Sequence, residues 1–211
     1  MIICFDLDGT LIDTEKWVLN GMLKSMRNHK LKVTKKDILN LWGLPFRVVL
    51  KKLFPNLKKQ EIEEIKKDFE KIRSETENMI KPFKNTKKTL KKLSKNYSLC
   101  LLSNNPHRII IKVLDKTKID KKLFKVIIGN DEVKRPKPFP DEIYKAEKKL
   151  NKKVTFMVGD TIQDIKTAKA AKIRSIIILT GPKSTWKTLN KANYKIKDIK
   201  ELPSLIKEVN K

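Results

Sequence analysis

Five short runs of apolar, largely β-branched residues constrain this chain most: MIICF (1–5), SLCLLS (98–103), KVIIG (125–129), VTFMVG (154–159) and SIIILT (175–180). Each is nearly continuous instead of alternating, the pattern of a parallel strand covered on both faces. Helical patterns stand between them, over 87–95, 108–116, 141–150 and 162–171. Strand alternating with helix predicts an α/β fold built on a doubly wound parallel sheet. Any ligand is then expected outside the carboxyl ends of the strands.

Residues 14–85 break this rhythm, because they carry no strand signal. Leu19, Met22, Leu23 and Met26 mark one amphipathic helix, and Ile62, Ile65, Phe69, Ile72 and Met79 mark a second, longer one. A shorter helical pair, Lys35 to Trp42 and Phe46 to Phe54, is punctuated by Gly43 and Pro45. The expected organisation is a core domain made of 1–13 and 86–211, with an inserted α-helical bundle, 14–85, as its cap. The hinges fall near Asp13 and Pro82.

Composition excludes several classes. The first residues lack a basic segment followed by a long apolar stretch, and no run approaches a membrane span, so a cytoplasmic protein with no membrane partner is expected. Cys4 and Cys100 both lie in strand-like runs and read as reduced core residues. The formal charge of +26 invites a nucleic-acid partner. Yet the basic residues are spread evenly, and only Arg27, Arg47, Arg73, Arg108, Arg135 and Arg174 are arginines. A phosphate-backbone binder clusters its cations and uses arginine forks, so the pattern argues against one, while still favouring anionic substrates.

The strand ends carry the chemistry. The first gives Asp6 and Asp8, the second Ser103 and Asn104; KRPKPFPD then supplies Lys137, and GDTIQD supplies Asp160 and Asp164. Taken singly these are ordinary helix caps, turn residues and surface charges. Four carboxylates converging at one crevice repel one another unless a cation sits among them. Oxygen ligands without histidine or cysteine point to Mg²⁺. A lysine, a hydroxyl and backbone N–H groups at a helix start also suit a phosphate. A carboxylate nucleophile beside a second carboxyl group can then run phosphoryl transfer in two steps.

In this order the motifs resemble those of the haloacid dehalogenase superfamily, in its phosphatase branch with a helical cap. They are Asp-x-Asp-Gly-Thr at Asp6 to Thr10, a strand ending in Ser103, Lys137 of KPFPD, and Gly159 to Asp164. The resemblance implies a Rossmann-like core and a Mg²⁺-dependent phosphatase acting on a small phosphorylated metabolite, with phosphoglycolate as the first substrate to consider. It implies that Asp6 attacks phosphorus and that Asp8 serves as acid and then base. Ser103, the Asn104 amide and Lys137 would hold the phosphoryl oxygens. Mg²⁺ would be held by Asp6, the Asp8 carbonyl and Asp160, with Asp164 ligating through water or orienting the shell. Thr10 would hold Asp8 in place at the substrate end of the motif.

Sequence variants within the family narrow the reaction. Dehalogenase and phosphonate-cleaving members lack the second acid of the first motif, which here is Asp8. Related sugar-phosphate mutases, similar to β-phosphoglucomutase, carry a histidine where this chain has Val18, so water is the favoured acceptor. An isomerase, and a nucleic-acid end-processing phosphatase, are the alternatives. Substrate choice is expected in the cap, at WGLPFR (Trp42 to Arg47), with Arg47 meeting a second anionic group; in the bland alternative that stretch packs the bundle and Arg47 is solvated. Asn105 and His107 are further contact candidates.

Overall fold

The computed structural model describes residues 1–76, 79–181, 187 and 189–210. Strand β1 (Ile2–Phe5) lies between β4 (Ser98–Ser103) and β6 (Val154–Gly159), parallel to both. Beyond β4 comes β5 (Phe124–Gly129), and beyond β6 come β7 (Arg174–Ile178) and β8 (Tyr194–Ile196), giving one six-stranded parallel sheet in the order β5-β4-β1-β6-β7-β8. The apolar runs are continuous because both faces are covered. Ile3 and Phe5 pack under α5 (Thr86–Leu93), α6 (His107–Thr117) and α9 (Leu202–Glu208). Ile2 and Cys4 pack on the other face, under α7 (Asp141–Leu150) and α8 (Ile162–Ala170). Cys4 and Cys100 are register partners, buried and free, and burial pushes the Cys4 thiol well up.

From β1 the chain runs one way across the sheet, to β4 and β5, then returns to β6 on the other side. The carboxyl ends of β4, β1 and β6 therefore meet where strand order reverses, the place such sheets keep for ligands. Strand β8 and helix α9 extend the core past the elements that the sequence pattern predicts. Strand β8 is three residues, too short for a periodic signal.

Four helices lie between β1 and α5: α1 (Glu15–Asn28), α2 (Lys35–Leu39), α3 (Phe46–Leu53) and α4 (Lys59–Glu75). They close around their own apolar cluster, which includes Met26, Ile38, Leu50 and Ile65. Helix α2 starts in a capping box made by Thr34 and Asp37 and ends earlier than the sequence predicts; Leu41 and Trp42 continue only in three-residue turns. Helix α4 stops at Glu75, so Met79 lies beyond it and is exposed; residues 77–78 of that tract lie outside the described residues. The chain enters and leaves this bundle through β2 (Ile12–Asp13) and β3 (Lys81–Pro82), which pair antiparallel as a two-stranded ribbon. The expected hinges are thus hydrogen-bonded to each other.

One buried group breaks the apolar pattern. Glu142, in the first turn of α7, is fully buried, and neither carboxyl oxygen has a hydrogen-bond partner among the described residues. Burial, reinforced by Asp6 and Asp164 and opposed by the Lys137 ammonium, pushes its pKa from the usual 4.5 up to about 8. The folded state then binds a proton that the unfolded state releases, so this group's contribution to stability is lost as pH rises from about 4.5 towards 8. Glu142→Gln keeps the shape without the titration. Thermal melts should show the variant close to the parent at pH 5 and more stable at pH 9, by on the order of 1–3 kcal/mol. Equal shifts at both pH values would show that Glu142 ionises freely in the fold.

Candidate active site

The first strand ends in a tight loop. The Leu7 carbonyl accepts from the backbone N–H groups of Leu11 and Ile12, folding the chain back so that Asp6 and Asp8 stand at the carboxyl end of β1. Gly9 makes this possible: its φ is +77°, and a Cβ there would lie 2.2 Å from Asp160 Oδ2. The Thr10 hydroxyl donates to Asp160 Oδ1 at 3.0 Å. Thr10 thus ties the first motif to the fourth, not to Asp8 as the sequence suggests, because the loop turns its side chain towards β6.

Lys137 reaches into the same place from the segment between β5 and α7. It is 3% exposed, with Nζ 2.7 Å from Asp6 Oδ1 and 2.8 Å from Asp164 Oδ1. The other Asp164 oxygen accepts from the Thr161 hydroxyl at 2.7 Å and the Thr161 N–H at 3.1 Å, closing the capping box that starts α8. Burial works against the Lys137 charge, but the Asp164 and Asp6 carboxylates outweigh it and raise its pKa. Burial also pushes Asp6 up to about 7; the Lys137 ammonium opposes this, while Asp164 and Asp8 add to it. Asp160 is also raised well above the usual carboxylate range, by burial and then by the Asp6 and Asp164 charges.

These shifts have one electrostatic reading: more buried negative charge than one ammonium balances. Carboxylate oxygens of Asp6, Asp160 and Asp164 lie within 4.8 Å of one another, and Asp160 Oδ2 is buried with no hydrogen-bond partner among the described residues. The donors are all oxygen. A hard divalent cation such as Mg²⁺ fits this set.

The site opens into a cavity of about 520 Å³ between sheet and bundle. Asp6, Asp8, Ser103, Asn104, Asn105 and Lys137 line its floor. The bundle contributes a mainly apolar roof that includes Val18, Leu41, Trp42 and Phe46. Gly43, at φ +84°, lets the roof loop approach closely: a Cβ there would sit 3.0 Å from Thr161, and its carbonyl accepts from Asn104 Nδ2 at 3.0 Å. Arg47 stands at the rim, more than half exposed, with its guanidinium 2.5 Å from Glu63. His107 lies beside the floor with its ring bonded to Glu132 at 2.8 Å.

A second buried cation at the cavity is one that the sequence reading does not single out. Arg73, in the last turn of α4, is 8% exposed; its guanidinium lies 3.9 Å from the Trp17 ring centre, and Nη1 donates to Asn105 Oδ1 at 3.2 Å. Its position four residues after Phe69, on the apolar stripe of α4, was the available signal.

Residues 3–178 match the model of the haloacid dehalogenase-like hydrolase family. Pyrophosphatase PpaX of Oceanobacillus iheyensis is 29% identical over 209 residues, covering 97% of this chain and 95% of its own. Phosphoglycolate phosphatase of Aquifex aeolicus is 30% identical over 188 residues, covering 85% of each. A crystal structure of a hydrolase from Pseudomonas syringae shares the fold with a TM-score of 0.89 at 21% identity, covering 99% of this chain and 98% of that one.

Removing the Lys137 ammonium leaves Asp6 and Asp164 buried without their counter-charge. Urea unfolding at pH 7 should show Lys137→Ala less stable by on the order of 3–5 kcal/mol, with part of the loss recovered by adding Asp164→Asn. A loss under about 1 kcal/mol, the scale of an exposed pair, would mean that water reaches the cluster.

Proposed function

The chain belongs to the haloacid dehalogenase-like hydrolases, and on that basis we propose that it is a Mg²⁺-dependent phosphatase that takes the phosphoryl group of a small phosphomonoester onto Asp6. The observation that carries this reading is the shared floor. Asp6 and Asp8 face one cavity, Lys137 lies 2.7 Å from Asp6, and three carboxylates stand close enough to share a cation. Residues 1–13 and 86–211 form the core in this reading, and 14–85 form the cap.

In the first step an Asp6 oxygen attacks phosphorus, and the bond to the leaving oxygen breaks with its electron pair. Asp8 gives that oxygen a proton. In the second step water attacks the aspartyl-phosphate and passes a proton to the Asp8 carboxylate. The Asp6–phosphorus bond then breaks, returning inorganic phosphate and a free Asp6. Lys137, the Ser103 hydroxyl and the Asn104 N–H hold the non-bridging oxygens as charge moves between them. Asp6, the Asp8 carbonyl and Asp160 would hold Mg²⁺, which when bound supplies charge neutralisation at the phosphoryl group. Asp164 orients Lys137 and the start of α8.

Water is the acceptor in this proposal because Val18 supplies only hydrocarbon to the cavity wall, where a mutase needs an acid–base group. The relatives named for phosphoglycolate and pyrophosphate make small dianionic and polyanionic phosphates the first substrates to test, with Arg47 at the rim available to a second anionic group. Phosphate release should be measured across phosphoglycolate, pyrophosphate, hexose 1-phosphates and mononucleotides, with Mg²⁺ and with chelator. We expect turnover that needs the metal and falls at least about 10³-fold in Asp6→Asn. Equal turnover by that variant, or indifference to chelation, would remove Asp6 and the metal from these roles. Conversion of hexose 1-phosphate to its 6-isomer faster than phosphate release would favour the mutase alternative.

A further inference from the structure

A hydrogen-bonded chain runs from the bundle to Asp8. Arg73 enters from the last turn of α4, and Trp17 Nε1 donates to its carbonyl at 3.1 Å, fixing that turn. The guanidinium lies over the Trp17 ring and donates to Asn105 Oδ1. Asn105 follows β4 directly; its N–H donates to the Ser103 hydroxyl at 3.2 Å, and its Nδ2 donates to Asp8 Oδ2. The second Asp8 oxygen, Oδ1, is buried with no hydrogen-bond partner among the described residues, and Asp8 lines the cavity.

The chemistry of these groups gives the chain a direction. A carboxamide presents an acceptor on one side and a donor on the other, and a half-turn exchanges them. Guanidinium donates only. With Arg73 held against it, the Asn105 amide must offer its oxygen to Arg73 and its NH₂ to Asp8. The NH₂ holds Asp8 by Oδ2 and fixes the plane of its carboxyl group. Rotating the amide would set two oxygens against each other and redirect the Asp8 proton towards Asn105.

We propose that Arg73 and Asn105 are positioning residues for proton transfer by Asp8: Arg73 fixes the Asn105 amide, and the amide grips the Asp8 carboxyl by Oδ2 and so sets its orientation towards the reacting group. This rests on the phosphatase reading above. The donor comes from the bundle and the other two residues from the core. The ion pair of Arg108 and Glu70, 2.6 Å apart, joins α6 to α4 nearby, so the chain from Arg73 to Asp8 spans bundle and core beside a second contact between them.

The test compares leaving groups. An alkyl ester such as phosphoglycolate needs a proton to expel its alkoxide, whereas 4-nitrophenyl phosphate loses a stable phenolate without one. kcat/KM reports the first transfer to Asp6 and is blind to the later hydrolysis. Asn105→Ala and Arg73→Gln should each lower kcat/KM by about 10–100-fold on the alkyl ester, and by at least tenfold less on the aryl ester. Arg73→Lys, which keeps a donor, should recover part of the loss. The double variant should be no worse than the poorer single one, because both act through one amide. Asn105→Ala lies in a loop and leaves α4 intact, so it decides the matter if Arg73→Gln does not fold. Equal loss on both esters, or losses that multiply in the double variant, would overturn the proposal. The alkyl ester is taken from those the panel above shows to be turned over, and a parent enzyme that hydrolyses nothing in that panel would instead overturn the phosphatase reading beneath it.

Discussion

One buried ammonium holds the carboxyl end of the sheet together. Lys137 lies within 2.8 Å of carboxylates from two distant stretches, the end of β1 and the first turn of α8. Bringing such charges out of water costs several kcal/mol each, a cost met only by close pairing and further hydrogen bonds. Asp164 has both, through Lys137 and Thr161. Among the described residues Asp160 has the Thr10 hydroxyl, on one oxygen. The unpartnered Asp160 oxygen belongs to the cluster in which carboxylate oxygens of Asp6, Asp160 and Asp164 lie within 4.8 Å of one another.

The two walls of the cavity do different physical work. The floor is polar, and its groups are anchored to backbone or to each other across strand ends. The roof is largely hydrocarbon, a low-dielectric wall that strengthens charge interactions on the floor. Contacts between the walls include polar ones, Asn104 to the Gly43 carbonyl, Arg73 to Asn105, Arg108 to Glu70 and Lys112 to Ser74, and the packing of Trp17 into the apolar cluster under the sheet. A bundle with its own core can move as a body about such contacts, a condition for admitting substrate and releasing product.

Much of this was legible in the sequence, for local reasons. Strands β4 and β6 fall where the apolar runs place them, since parallel strands covered on both faces need unbroken hydrocarbon. Most floor residues follow, because Asp6, Asp8, Ser103, Asn104 and Asn105 stand at or just past the carboxyl end of β1 or β4, whereas Lys137 comes from the segment well beyond β5. What escaped depended on long-range geometry. Thr10 and Asp160 are 150 positions apart, and nothing near Thr10 names its partner. Arg73 sits among charged residues on a lysine-rich chain, and only the packing of α4 distinguishes it from a solvated cation. Glu142 reads as a surface residue of a helix start, yet it is buried beneath the floor. Helix α2 ends early because the turn at Gly43 is shaped by close approach to Thr161, a contact that local propensity does not encode.

The ribbon formed by β2 and β3 bears on how such a molecule can be assembled. Asp13 and Lys81 face each other, so the path that departs the core returns to its starting point. The chain therefore crosses between core and bundle through one two-stranded stalk, and the length of chain beyond that stalk does not change where the core resumes. Any polypeptide whose ends come home side by side could be mounted there, which makes the stalk a socket through which the roof can be exchanged while the floor stays constant.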